Sequence, residues 1–205
     1  MYAAEKEILF PRNSVVCDIG GGTGTDSLYF INKGHSVILV DIADEPLAQA
    51  VQQARENGCA NKLQTVQYDF SFGTLPLQDE AFDVVYSRLA LHYFESRTLA
   101  QLFAEVHRIL RPNGWACLSL KSPDDIVEMD FLATTAIEKE EGVFDEKGRI
   151  KTRYTTQRLK KILNQAGLSD NTYGVVSYTE KLDNGNDIVK SGKSEFIVNE
   201  VTIRK

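Results

Sequence analysis

Short apolar runs separated by amphipathic stretches organise most of this chain. Val15–Cys17, Val37–Val40, Leu63–Tyr68, Phe82–Tyr86 and Trp115–Leu120 read as strands, and the tightest of them show no polar alternation. That pattern predicts strands buried on both faces, as in a parallel sheet between helix layers. Between the runs the period lengthens to that of a helix. Thr25–Lys33 reads as a helix closed by Gly34. Pro46–Glu56 follows Asp44, a good N-cap, and carries Leu47, Ala50, Val51 and Ala54 at helical spacing. Arg97–Leu110 follows Ser96 and sets Leu99, Leu102, Phe103, Val106 and Leu110 on one stripe before Pro112-Asn113-Gly114 ends it. Such alternation predicts an α/β chain with a doubly wound sheet.

The pattern changes after Leu120. Residues Ser122–Tyr154 are rich in acids and carry no strong strand signal, so about 122–156 reads as an insertion covering one end of the sheet. A helix follows at Gln157–Ala166 and stops at Gly167. The last strands, Tyr173–Leu182 and Glu195–Arg204, are joined by a polar stretch containing Gly185 and Gly192, which predicts an antiparallel pair. Tyr2–Phe10 supplies one short helix before the first strand. At 205 residues and 42% hydrophobic content, a single domain over residues 1–205 is expected.

Charge and cysteine content narrow the function classes. A net charge of −6 and a pI near 5.2 argue against a nucleic-acid surface, which needs clustered Lys and Arg. No apolar run approaches the length of a membrane span, and the first residues lack a signal-peptide core. Cys17, Cys59 and Cys117 are odd in number, widely separated and without metal-ligand spacing. A reduced, cytoplasmic setting without a resident metal is the expectation. His35 and His107 read as surface or helix-face residues.

The first strand runs into Asp18-x-Gly20-x-Gly22-x-Gly24, with a helix starting directly after it. Glycines there let a flat, charged ligand approach the backbone, and the helix N-terminus offers free N–H donors. A dinucleotide fingerprint wants Gly-x-Gly-x-x-Gly, and its third position here is Thr25. The spacing instead resembles the first motif of the class I S-adenosylmethionine-dependent methyltransferases. In that family an acid ends the first strand and the glycines line the methionine half of the cofactor. Five parallel strands closed by an antiparallel hairpin also resemble that family's seven-stranded, Rossmann-like sheet.

Further motifs follow in the family's order. Asp41 ends the second strand, where one carboxylate can accept from both hydroxyls of a ribose; a dinucleotide would use it alike. The resemblance implies that Ile42 lies against the adenine, that Asp69 accepts from the adenine amino group, and that the Phe70 N–H serves a ring nitrogen. It sets Ser87 and Leu89, at the end of the fourth strand, near the methionine portion. Arg111-Pro112-Asn113-Gly114 resembles a turn common before the family's fifth strand, and Asp83 reads as structural.

On the acceptor side, Ser87-Arg88-Leu89-Ala90 stands where exocyclic-amine methylases carry Asn/Asp-Pro-Pro-Tyr/Phe, so a small-molecule acceptor is expected. His92 and Tyr93 are the candidate catalytic pair: His92 as a proton acceptor, Tyr93 as an orienting or sulfonium-facing ring. Packing against the cofactor is the alternative role for both. Arg149, Lys151, Arg153 and Tyr154 form a basic, aromatic stretch, with Arg149, Arg153 and Tyr154 as its candidate binding residues, that would suit an anionic acceptor or equally a solvated face. Asp183-Asn184-Gly185-Asn186 and the ending Val201–Lys205 resemble the tellurite-resistance and thiopurine-like branch. A nucleotide-dependent oxidoreductase and a non-catalytic S-adenosylmethionine-binding module remain the alternatives.

Overall fold

The apolar runs become the centre of one sheet. A computed structural model describes residues 2–181 and 195–205. Its strands β1 (Val15–Ile19), β2 (Ser36–Asp41), β3 (Leu63–Gln67), β4 (Phe82–Arg88) and β5 (Leu110–Lys121) pair in parallel. Three short strands, β6 (Ile137–Glu140), β7 (Val143–Glu146) and β8 (Arg149–Thr152), form a separate antiparallel sheet. The last pair, β9 (Tyr173–Lys181) and β10 (Glu195–Arg204), returns to the main sheet. The main order is β3-β2-β1-β4-β5-β10-β9, with β10 antiparallel to both neighbours. The expected seven-stranded, mostly parallel sheet with its C-terminal hairpin is therefore present. The segment joining that hairpin, including Leu182, Gly185, Gly192 and Asp183-Asn184-Gly185-Asn186, lies outside the described residues.

The chain order leaves a crevice. From β1 the chain builds outward through β2 and β3, then crosses to β4 and builds the other way. Ligands of open α/β sheets bind beyond the carboxyl ends of the strands at such a reversal. The ends of β1, β2, β3, β4 and β5 all face that edge. Cys17 and Cys117, in β1 and β5, are buried as expected of small apolar side chains, and all three cysteines are free.

Two helix starts differ from expectation. The helix α1 (Tyr2–Glu7) precedes β1, and α2 (Thr25–Asn32) follows Gly24, whose left-handed backbone (φ 75°) is its N-cap. Next, α3 (Asp44–Glu56) is capped at Ala43 rather than Asp44, because the Asp41 carboxylate already accepts from the Ala43 N–H at 2.9 Å. Likewise α4 (Ser96–Ile109) is capped at Glu95, and the Ser96 hydroxyl instead donates to the Tyr154 hydroxyl at 3.1 Å. Both acids of the first α3 turn still suit the helix dipole.

Two boundaries and one histidine also move. Leu110, read as helical, opens β5 and pairs with Phe82, so Pro112-Asn113-Gly114 forms a register irregularity inside the strand pair rather than a turn before it. His35 is buried, not on the surface. Its Nδ1 accepts from the Ser14 N–H at 3.1 Å, leaving Nε2 to donate to Glu7 at 3.3 Å, which ties α1 to the start of β1. His107 is half-buried on α4.

The insertion is more ordered than its sequence suggests. It contains α5 (Ile126–Thr135) and then β6, β7 and β8, before α6 (Thr156–Gln165) resumes the main layers. Its strands have four residues each, and Val143 and Phe144, on opposite faces of β7, are their only buried apolar residues. Gly142 (φ 77°) and Gly148 (φ 84°) make the two turns. So short and polar a sheet leaves no periodicity to read.

Candidate functional site

The loop after β1 is built from glycines with different tasks. A Cβ on Gly20 would stand 2.3 Å from Ala90 Cβ, and one on Gly24 would stand 2.9 Å from Ala50 Cβ. A Cβ on Gly21 would meet the Asp18 carboxylate at 2.4 Å. These three positions serve close packing. Gly22 differs: its backbone is left-handed (φ 55°) and none of the described residues lies within 4 Å of its missing side chain. It is the glycine that faces open space.

Asp41 closes this loop from β2. One oxygen accepts from the Gly22 N–H and the other from the Ala43 N–H, both at 2.9 Å. Asp18, at the end of β1, is buried; its Oδ2 accepts from the Ser27 hydroxyl at 2.6 Å and its Oδ1 is buried without a partner among the described residues. Burial pushes the Asp18 carboxyl up to about 7, with the neighbouring Asp26 charge adding and the Ser27 bond opposing.

The ends of β2 and β3 form a second wall. Ile42 is 55% exposed beside the loop, and Phe72, which sequence reasoning passed over, is 71% exposed. Asp69 accepts from the Ser71 N–H at 2.8 Å, the turn-forming bond expected of its position. The Phe70 ring is buried against Tyr68 and Phe94, so its side chain belongs to the core.

Beyond β4 the chain turns sharply. Ser87 is fully buried and donates to the Ile19 carbonyl at 2.8 Å, stitching β4 to β1. Leu89 adopts a left-handed backbone (φ 54°), uncommon for a bulky side chain and typical of functional sites. Its N–H donates to the Ser119 carbonyl at 3.0 Å. Ala90 then packs on Gly20, and Leu91–Tyr93 makes a single 3-10 turn. The His92 ring is buried and lies 4.2 Å from the ring of Tyr93, which is 43% exposed. Burial holds His92 well below the ordinary histidine value, and the charges of Arg153, Lys121 and Lys151 push the same way. Its Nδ1 has no partner among the described residues.

The structure does not bring Arg149, Arg153 and Tyr154 together. Arg149 is exposed at the start of β8. Arg153 is buried, pairs with Glu128 of α5 and donates to the Thr152 carbonyl at 2.7 Å. Tyr154 is buried in the core with its hydroxyl on Ser96 of α4. Sequence reasoning missed Lys121, whose charge bears on His92 together with those of Arg153 and of Lys151 from the same basic stretch. The available signal was Lys121 ending the longest apolar strand with a charge.

Among the described residues, no group of three or more His, Cys, Asp or Glu side chains is placed to hold a metal ion, and no helix is long and apolar enough to cross a membrane.

A family model described as a methyltransferase domain matches residues 16–114. The chain is 35% identical over 108 residues to a malonyl-[acyl-carrier protein] O-methyltransferase of Pectobacterium atrosepticum, covering 52% of this chain and 39% of that protein. It is 30% identical over 129 residues to a biotin biosynthesis bifunctional protein of Teredinibacter turnerae, covering 63% of this chain and 20% of that protein. The chain thus spans well under half the length of these curated relatives. Among solved structures, an S-adenosylmethionine-dependent methyltransferase of Methanosarcina mazei matches with a TM-score of 0.76 at 20% identity, over 98% of this chain and 96% of that one. A 1,6-didemethyltoxoflavin-N1-methyltransferase of Burkholderia thailandensis, bound to its toxoflavin ligand and S-adenosylhomocysteine, matches at 0.70 and 20% identity, over 99% and 76%.

Proposed function

We propose that the chain is a class I S-adenosylmethionine-dependent methyltransferase, a reading supported by the methyltransferase-domain match and the methyltransferase relatives, and that it transfers the methyl group to a small-molecule acceptor held between the β4 turn and the insertion. The observation that carries this reading is the open glycine at position 22, set against an Asp41 carboxylate. At the carboxyl edge of the sheet, beside the strand-order reversal, this opening lets a ligand lie directly against the backbone. Asp18, Gly20, Gly22 and Gly24 form and support the loop. Asp41 accepts from the ribose hydroxyls, the exposed Ile42 covers one adenine face, and Asp69 with the Phe70 N–H reads the adenine edge. Ser87 acts by holding β4 against β1, at the level of the methionine portion.

When bound, the cofactor supplies an electrophilic methyl carbon on a sulfonium. The protein has to align an acceptor with it and exclude water, and alignment of that kind contributes roughly 7–11 kcal/mol in favourable cases. Tyr93, partly exposed beside the loop, orients the acceptor. The neutral His92, with a buried and unpartnered Nδ1, takes a proton where the acceptor arrives protonated. Arg153, beside His92, belongs to the acceptor side; Arg149 stands at its outer rim.

The relatives' named acceptors, a malonyl-[acyl-carrier protein] and 1,6-didemethyltoxoflavin, differ from one another, so neither is carried over. Of the residues behind the tellurite-resistance likeness, Asp183-Asn184-Gly185-Asn186 lies outside the described residues and Val201–Arg204 ends β10.

Thermal unfolding with added ligands tests the reading. S-adenosylhomocysteine at about one hundred times its dissociation constant should add roughly 2.7 kcal/mol of stability. Stabilisation by NAD with none by S-adenosylhomocysteine would replace the reading with an oxidoreductase. A methyl-transfer screen against thiols, phenols, carboxylates and oxyanions then identifies the acceptor, and failure on all four classes would favour a binding module.

A further inference from the structure

The turn after β4 touches two different things. Through Ala90 it packs on the glycine loop, and the short turn that holds His92 packs on β5 and β8, whose ends carry cations that bear on His92. Lys121 ends β5, Lys151 lies in β8, and Arg153 follows β8. Lys121 and Arg153 share one carboxylate, Glu128 of α5, while Lys151 pairs with Glu146 at 2.8 Å. Among the described residues, three cations therefore share two carboxylates. The imbalance is felt locally: burial and the charges of Arg153 and Lys151 hold Lys121 below the ordinary lysine value despite its bond to Glu128.

Unmet hydrogen-bonding capacity lies in the same place. Arg153 Nε, Thr152 Oγ1 and His92 Nδ1 are buried and have no partner among the described residues, and all three residues are about 98% buried or more. A buried guanidinium N–H without an acceptor is costly unless a ligand or water meets it. What answers both the surplus charge and the unmet Arg153 Nε and Thr152 Oγ1 donors is one negative group rich in acceptors, the His92 Nδ1 staying a proton acceptor, and a carboxylate matches the planar guanidinium best. One apolar ring flanks these cations: Lys151 Nζ stands 5.8 Å from the centroid of the half-exposed Phe131 ring.

We propose that the acceptor carries a carboxylate on an apolar body, and that Lys121, Lys151 and Arg153 bind that carboxylate above His92. The proposal rests on the methyltransferase reading for the word acceptor, and on the cation cluster alone for the word carboxylate. Lys121 and Lys151 thereby become specificity residues, and Glu128 becomes the positioning residue that holds Lys121 and Arg153 together.

Calorimetric titration with octanoate, octanamide and octylamine, with and without S-adenosylhomocysteine, tests it. Octanoate should bind at least tenfold more tightly than octanamide, and octylamine should not bind. Lys121→Gln and Lys151→Gln should each weaken octanoate about tenfold while leaving octanamide and S-adenosylhomocysteine unchanged; both side chains are partly solvent-facing, so the fold survives them. Equal binding of octanoate and octanamide, or unchanged octanoate affinity in both variants, would overturn the carboxylate site. Selective octanoate binding without any S-adenosylhomocysteine binding would support the site and overturn the cofactor reading instead.

Discussion

Gly20 and Ala90 occupy one another's space: a Cβ on Gly20 would stand 2.3 Å from the Ala90 Cβ. The loop after β1 and the turn after β4 meet only because residue 20 has no side chain. Gly22, two residues on, has none of the described residues within 4 Å of its missing side chain. The two glycines should therefore fail differently. Gly22→Ala meets only the left-handed backbone penalty of about 1–2 kcal/mol. Gly20→Ala adds overpacking of about 1–3 kcal/mol. Urea unfolding should rank Gly20→Ala as the less stable, while Gly22→Ala remains folded and binds S-adenosylhomocysteine poorly. Equal stabilities would show that Ala90 moves aside.

Asp41 serves two backbone N–H groups and, in the proposed function, a ribose. Asp41→Ala should weaken S-adenosylhomocysteine by about 1.5–3 kcal/mol, the scale of hydrogen bonds to a charged group. That is roughly tenfold to somewhat over a hundredfold in affinity. Calorimetry reads it directly, and an unchanged dissociation constant would remove Asp41 from the ligand site.

Asp18 and His92 are both kept neutral by burial, with opposite consequences for stability against pH. Asp18 holds its proton up to about pH 7 in the folded protein and releases it near 4 when unfolded. The folded state thus binds more protons between those values, so stability falls as pH rises from about 4 to 7. His92 binds fewer protons folded than unfolded, so its contribution is full above about pH 6.5 and is lost on acidification. Asp18→Asn should abolish the decline towards neutrality, and His92→Asn should abolish the acid-side loss. Urea midpoints measured from pH 4 to 8 check both; a wild-type slope in either variant would show that its group does not titrate as described.

Asp83 joins the starts of two strands. Its Oδ2 accepts from the Val15 N–H at 2.8 Å, and both oxygens accept from Arg111 at 2.9 Å. Asp83→Ala leaves a partly buried backbone donor unmet and should cost about 1–3 kcal/mol. Arg111 is 42% exposed, so Arg111→Ala should cost at most about 1 kcal/mol. Thermal melts that reversed this order would assign the stabilisation to the ion pair rather than to β1.

Several parts of the site were legible because their signals are local. The Gly20, Gly22 and Gly24 spacing states where the backbone turns left-handed, and Asp41 stands one residue beyond an apolar run. Other parts were not. Arg149, Arg153 and Tyr154 are near neighbours in sequence, yet the strand pleat and the end of β8 send them to solvent, to Glu128 and to Ser96 respectively. Ser87 reads as a ligand contact by position, but its hydroxyl is spent on the Ile19 carbonyl. Neither outcome has a signature in local spacing.

The sequence by itself determined the doubly wound α/β plan, the parallel run of β1 to β5, the closing hairpin and the glycine loop, because hydrophobic period and backbone freedom act within a few residues. Tertiary structure alone decided that β10 enters between β5 and β9, that the polar insertion closes into a three-stranded sheet, and that Leu110 leaves its helix for a strand. It alone decided, too, that the charges of Lys121, Lys151 and Arg153 bear on the buried His92. Each of these depends on contacts between residues tens of positions apart, where burial and charge are set by what the chain folds against and not by its neighbours in sequence.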